Sequence, residues 1–375
     1  MKFFFVKQGW LTFLIGLLIG IILLYLFLPN NSSEIRFEEL ALGKENKTVM
    51  ADFNKKRIHC SGLSDIDLCL RGYNANDYPS PVIIWLGNSQ LHAINQYRAG
   101  DETAALQIHR ELKKDNFYTL TFSQPNANLQ EHYLLLTYLL NHFPIKKLIL
   151  PIVFDDLRED EVRQDLQTIL NDQTSKDKIN KTLTGKNLIS KFNNQNLVGN
   201  DSGVSKDILH NSFENLLNKK LSEIWPLWNE RENLRGTLFA KLYNLRNYIL
   251  GINASTTRRM VKGIYVKNIN AYKDILNLAL ENKLEVLVYV PPIRNDIKIP
   301  YDIIEYEDFK KEIKDIAEEY KVNFISLENL VSAEFWGKKK STTLNHEDEV
   351  DFMHFQANGH RLLAESILKE LLKIH

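Results

Sequence analysis

Two short stretches near opposite ends of the chain carry residue types that together suit nucleophilic acyl chemistry. The first is Val82-Ile-Ile-Trp-Leu-Gly87-Asn88-Ser89-Gln-Leu91, an apolar run that stops at a glycine and delivers a serine. A serine at the carboxyl end of a buried strand, on a turn made tight by Gly87, projects its hydroxyl into the crevice where open α/β sheets bind ligands. A helix starting there would add backbone N–H donors and a positive dipole end, both suited to an oxyanion. The blander role open to Ser89 is that of a helix N-cap. The second stretch is Asp351-Phe-Met-His354-Phe-Gln-Ala-Asn-Gly359, which leads into a helix with apolar Leu363, Ile367 and Leu371. A short Asp-x-x-His loop lets the carboxylate orient one ring nitrogen while the other faces a nucleophile. Taken alone, His354 could equally be a half-buried structural histidine.

The intervening chain alternates strand-length apolar runs with helical periods. The runs are 82–86, 117–122, 148–154, 284–290 and 322–327, each rich in β-branched or aromatic residues. Leu129, Tyr133, Leu136 and Leu140 share one helix face, as do Phe309, Ile313, Ile316 and Tyr320. Continuous apolar strands alternating with helices predict a three-layer α/β/α sandwich around a parallel sheet of about five strands. The third and fourth runs are too far apart for one crossover, so residues 157–283 are expected to form a mainly helical insertion. Within it, the polar stretch 172–205 reads as a mobile excursion. Residues 206–250, with Leu209, Phe213, Leu216, Leu217, Trp225 and Trp228, read as helices capping a sheet edge, and Tyr265–Glu281 as the helix leading back into the sheet. The two tryptophans fit either a glycan-stacking surface or the insertion's own core.

Composition narrows the partners and the compartment. The 375 residues include 47 Lys+Arg and 47 Asp+Glu, a formal net charge of zero, so no global field steers the chain toward nucleic acid. With 44% hydrophobic and 25% charged residues it is neither disordered nor a disulfide-dense scaffold. The run from Trp10 to Leu28 holds no charge and would span about 28 Å as a helix, close to a bilayer's hydrocarbon core. Lys2 and Lys7 precede it, which keeps the N-terminus cytoplasmic, and Phe27 to Asn31 offers no small-residue cleavage site. The expected organisation is therefore a cytoplasmic 1–9, a transmembrane anchor 10–28, a juxtamembrane segment 29–79 and an extracytoplasmic α/β domain 80–375. Outside the cytoplasm Cys60 and Cys69 can close a disulfide, two unpaired thiols being the alternative. A zinc site with His59 lacks a fourth ligand, and the spacing of His354 and His360 makes no metal pair, so neither metal nor cofactor is expected.

The two ends together, Gly87-Asn88-Ser89 after the first strand and Asp351-x-x-His354-x-x-x-x-Gly359 before the last helix, resemble the SGNH (GDSL-like) hydrolase superfamily. The resemblance spans roughly residues 80–156 and 284–375 and implies Ser89 as nucleophile, His354 as base and Asp351 as its orienter. Two blocks depart from the family pattern. The glycine expected after the second strand is replaced by Ser123-Gln-Pro-Asn126-Ala-Asn128-Leu-Gln130, and the Gly-x-Asn-Asp after the third by Val153-Phe-Asp155-Asp156-Leu-Arg158. Asn128 or Asn126 then becomes the candidate side-chain oxyanion donor beside the Ser89 N–H. Asp155, where an asparagine is expected, is an acceptor only when ionised and is assigned to the loop or to Arg158. Arg294, after the fourth strand, is a candidate for holding an anionic glycan or else a solvated loop residue. His92 either lines the cleft or packs.

In layout the chain is similar to membrane-tethered SGNH proteins of alginate O-acetylation and teichoic-acid D-alanylation. That similarity implies an extracytoplasmic O-acyltransferase, with acetyl as the expected group, acting on an envelope polysaccharide through a Ser acyl-enzyme. It also implies a multi-spanning membrane-bound O-acyltransferase as acyl donor. Two alternatives stand beside it: a carbohydrate or peptidoglycan esterase with the same three residues, and a catalytically silent glycan-binding or scaffold subunit.

Overall fold

The computed structural model describes residues 13, 15–18, 20, 46–75, 80–199, 231–253, 255–340 and 348–373. Apart from a few helical residues between 13 and 20, the uncharged run 10–28 lies outside them, as do Leu209, Phe213, Leu216, Leu217, Trp225 and Trp228. Among the described residues no helix is long and apolar enough to cross a membrane.

The chain divides into two compact units, one of residues 1–43, 202–253 and 341–347, the other of 44–201, 254–340 and 348–375. In the first, the described part is mainly the helix Arg231–Leu250. The second carries the strands β1 (Asn46–Thr48), β2 (Asp52–Phe53), β3 (Lys56–Arg57), β4 (His59–Cys60), β5 (Val82–Gly87), β6 (Ala93–Asn95), β7 (Tyr118–Ser123), β8 (Ile145–Pro151), β9 (Glu285–Val290), β10 (Asn323–Ser326), β11 (Trp336–Lys340) and β12 (Asp348–Phe355). Six form a parallel sheet in the order β10-β9-β8-β5-β7-β4. Five coincide with the apolar runs. From the edge strand β4 the chain passes to β5, then to β7 on one side of it and to β8 on the other, so the topology switches beside β5.

Each face of the sheet is covered by helices, because alternate strand residues point to opposite sides. Val82, Ile84 and Leu86 pack with the helices Ile66–Asn74, Leu129–Leu139, Lys262–Glu281 and Ile303–Glu319. Ile83 and Trp85 pack with Ala104–Leu112 and Ala357–Leu371 through Ile108, Leu363 and Ile367. The polar atom of the Trp85 side chain is satisfied as Nε1 donates to Tyr289 Oη at 3.1 Å.

The sixth strand corrects the expected domain boundary. β4 is two residues long, and His59 and Cys60 pair with Thr121 and Phe122 at the sheet edge. Ile58, Cys60, Ile66, Cys69 and Tyr73 are buried in the same core, so residues 46–75 of the expected juxtamembrane segment belong to the sheet unit. No apolar run announces so short a strand. Cys60 and Cys69 form a disulfide between β4 and the helix Ile66–Asn74. A loop of that size stabilises by about 2–3 kcal/mol, so Cys69→Ser is expected to lower the urea midpoint accordingly, with the m-value rising slightly as the unfolded chain loses its cross-link.

The described residues of the insertion are mainly helical, with Gln164–Gln167, Gln173–Ile179, Leu183–Gly199 and Lys262–Glu281 in this unit. The stretch read as a mobile excursion is thus helical through Gly199. Its polar composition hides a few anchors: Asp172 caps the Ser175 N–H at 2.8 Å, Thr184 N donates to Asp274 at 2.9 Å, and Ile179 and Leu188 are buried.

Candidate active site

The carboxyl end of β5 presents the serine through a short local structure. Asn88, not Ser89, is the capping residue: its Oδ1 accepts from Gln90 N at 3.0 Å. Ser89 is thereby free of the capping role. No long helix follows, only a 3₁₀ turn over Ser89–Leu91, after which β6 peels away to pair antiparallel with β1. The helix-dipole contribution expected from the sequence is therefore absent at this turn. Gly87 does not adopt the left-handed conformation that a glycine turn suggests. Its requirement is space, since a Cβ there would sit 2.3 Å from Leu91 Cδ1.

The acid and the base stand on an irregular stretch of β12 rather than in a loop. β12 pairs with β11 through Phe355 opposite Trp336 and Val350 opposite Lys338, so residues 351–354 bulge opposite Gly337. Such bulges re-aim side chains. A side chain at 337 would strike Asn95, whose Oδ1 lies 1.8 Å from an ideal Cβ position. The final helix is fitted in the same way: a Cβ at Gly359 would meet the Phe355 ring at 2.6 Å.

These two elements bring the three residues into one line. Ser89 Oγ lies 2.9 Å from His354 Nε2, and His354 Nδ1 lies 3.0 Å from Asp351 Oδ2. Ser89 and His354 are each 8% exposed and Asp351 2%. Asp351 Oδ1 accepts from the N–H groups of Met353 and His354, both at 3.0 Å, and Oδ2 from Asn46 at 2.9 Å and Asn95 at 3.3 Å. Burial would push its pKa up, but His354, then Lys339 and the Met353 N–H, outweigh it and hold the carboxyl well below the usual range. Gln90 ties the two halves together, its Nε2 donating to Pro292 O at 2.9 Å and Met353 O at 2.8 Å.

The remaining sequence candidates sit elsewhere. Asn128 caps the helix Leu129–Leu139, accepting from Glu131 N at 3.1 Å, while its Nδ2 donates to Glu161 O at 2.8 Å. Both ends of its amide are thus engaged away from Ser89. Asn126 is exposed and takes a left-handed turn conformation with φ 52°. Asp155 is held by Arg158 at 3.0 Å, by Arg258 and by Tyr301 Oη at 3.1 Å, a loop-holding role that extends beyond the expected Arg158. Arg294 clasps Asp296 through Nε at 2.7 Å and Nη2 at 3.0 Å and donates from Nη1 to Gly337 O at 3.0 Å, which engages its guanidinium in bracing the hairpin.

Sequence reasoning passed over the residues that hold the turn. Asn88 Nδ2 donates to Asp156 Oδ2 at 2.8 Å, and Asp156 is buried. Burial first, with Asp155 and two glutamates adding, pushes its pKa well above the ordinary value against the Asn88 hydrogen bond. Its signal in the sequence is the adjacent carboxylate pair Asp155-Asp156.

The chain matches no protein-family model and no curated protein. Among solved structures it is similar to a Bacteroides fragilis protein provisionally assigned as an acylhydrolase, at 10% identity over 80% of this chain and 92% of that one, with a TM-score of 0.33. It is also similar to a Streptococcus pneumoniae protein provisionally assigned as platelet activating factor, at 12% identity over 82% and 92% of the two chains, with a TM-score of 0.33.

Proposed function

We propose that this chain is a serine-dependent O-acyltransferase that modifies an envelope polysaccharide outside the cytoplasm, with acetyl as the acyl group. The observation that carries the reading is the line from Ser89 Oγ through His354 to Asp351. His354 Nε2 removes the Ser89 proton as Oγ attacks an acyl carbonyl, and the leaving oxygen takes that proton as the acyl-enzyme forms. A glycan hydroxyl then gives its proton to His354, attacks the ester and regenerates Ser89 Oγ–H. Asp351 keeps the imidazole in the tautomer whose Nε2 can accept.

Three features support transfer and compartment. Ser89 and His354 are nearly enclosed, which restricts water as the competing acceptor and suits a small acyl group. The Cys60–Cys69 disulfide suits an oxidising compartment, and the uncharged 10–28 run supplies a tether. A single tether forms no passage, so an acyl group drawn from the cytoplasm calls for a multi-spanning acyltransferase as donor.

The test uses the full chain in detergent with a chromogenic acetyl ester and added envelope oligosaccharides. Acetylated oligosaccharide in the mass spectrum is the expected product. Acetate alone would assign the esterase reading, and a chain that neither turns over the ester nor takes a serine-directed fluorophosphonate would be a binding or scaffold subunit.

A further inference from the structure

A second serine with two imidazoles lies beside the nucleophile turn. Ser123, the last residue of β7, pairs with Gly87 across the sheet. Its Oγ lies 2.6 Å from His59 Nε2 and 2.7 Å from His92 Nδ1, and all three residues are buried. A hydroxyl has one proton, so it donates to one imidazole and accepts from the other. If His92 donated, Ser123 would donate to His59 Nε2, and His59 would carry its proton on Nδ1. That atom is enclosed without a partner. A buried N–H without an acceptor is the rarer orphan, so the opposite polarity holds: His59 Nε2–H to Ser123 Oγ–H to His92 Nδ1. His92 is then the Nε2–H tautomer.

That N–H is available. Among the described residues no hydrogen bond engages His92 Nε2. The ring stands at the carboxyl ends of β5 and β7: His92 N donates to Ser89 O at 3.2 Å, and Nδ1 lies 2.7 Å from Ser123 Oγ. Burial first, with the nearby His354 adding, pushes the His92 pKa down to about 3, so the ring stays neutral over the working pH range.

Resting on the acyl-transfer reading above, we infer that His92 is a further catalytic residue, whose Nε2–H donates a hydrogen bond to the oxyanion formed at Ser89, and that Ser123 and His59 fix the required tautomer. As the Oγ–C bond forms, the carbonyl π pair moves onto oxygen and the Ser89 proton goes to His354. His92 stabilises the new charge without giving up its proton. Collapse restores the carbonyl, breaks the bond to the leaving oxygen and returns the proton from His354 to that oxygen. A neutral imidazole takes the place that the engaged amide of Asn128 and the acceptor Asp155 do not fill.

The experiment compares the full chain with His92→Phe, His92→Gln and Ser123→Ala, following acetyl-ester turnover and the ¹⁵N shifts of histidine-labelled protein. His92→Phe is expected to lower kcat about 10²–10³-fold with KM little changed, and Gln, which restores an N–H donor, to recover at least about tenfold. Unmodified protein should show His92 as one Nε2–H tautomer, and Ser123→Ala should mix the tautomers and lower kcat along with them, whereas a packing role would shift the tautomer and leave kcat unmoved. An Nδ1–H tautomer, or His92→Phe turning over within about threefold of the unmodified chain, would overturn the inference while leaving Ser89 chemistry intact. Loss of the acyl-transfer reading shows differently, as an unmodified chain that never turns over the ester, and the His92 role falls with it.

Discussion

Ser89→Ala is expected to lower kcat/KM for a chromogenic acetyl ester by about 10⁵-fold or more and to abolish fluorophosphonate labelling, while melting stays near that of the unmodified chain. The substitution removes one oxygen from a nearly enclosed site and leaves Asn88 capping Gln90, so the turn keeps its shape. What disappears is the hydroxyl 2.9 Å from His354 Nε2 that forms the covalent acyl ester. His354→Ala should cost about as much, because without a proton acceptor the hydroxyl remains a poor nucleophile.

The sharper form of this prediction is its failure to add. If Ser89 and His354 act as one unit, the double variant loses no more than either single one, since each already removes the whole device. Two independently useful groups would instead multiply their losses. Measured rates in the three variants separate these cases, and a multiplicative result, or labelling that survives in Ser89→Ala, would falsify the assignment of Ser89 as nucleophile.

What the sequence made legible follows from how much of each feature is local. Four of the five foreseen strands, β5, β7, β8 and β9, are buried along nearly their whole length and so read as continuous apolar runs; β10, at the edge, is only half-buried through Phe324 and Ile325, and the Asp-x-x-His spacing sits within one short segment. β4 escaped because a two-residue edge strand has no period to read. The short turn after Ser89 escaped because β6 pairs with Asn46–Thr48, a non-local partner that no pattern around residue 93 could announce. The same pairing explains why Asn46 and Asn95, which both donate to Asp351, were not foreseen: polar residues far apart in sequence become neighbours only through the topology. The helix Leu183–Gly199 was hidden by its asparagines and lysines, and its fit depends on a close approach, with an ideal Cβ at Gly185 only 1.9 Å from Ile179 O.

Asp351→Asn is expected to lower kcat about 10⁴-fold with the three-residue line still in place, because the loss is one of tautomer. The introduced amide keeps one oxygen for the Met353 and His354 N–H groups, and its other position becomes an NH₂ facing three former donors: His354 Nδ1, Asn46 Nδ2 and Asn95 Nδ2. His354 then avoids a donor–donor clash by moving its proton to Nε2, where it can no longer accept from Ser89. The same clash costs stability, about 1–3 kcal/mol for buried groups left without a partner. Its pH dependence carries a definite sign. Asp351 has a folded pKa below the ordinary value of 3.8, burial opposing and His354 and the amides outweighing it, so its contribution is fully present above the unfolded pKa. That contribution is lost as the pH falls through 3.8 toward the folded value. The stability gap between the unmodified chain and Asp351→Asn should therefore stay level from about pH 8 to 5 and narrow below about pH 4 in denaturant titrations. A gap of constant size down to about pH 3 would mean that the carboxylate's charge contributes nothing, and that Asp351 holds the bulge by shape alone.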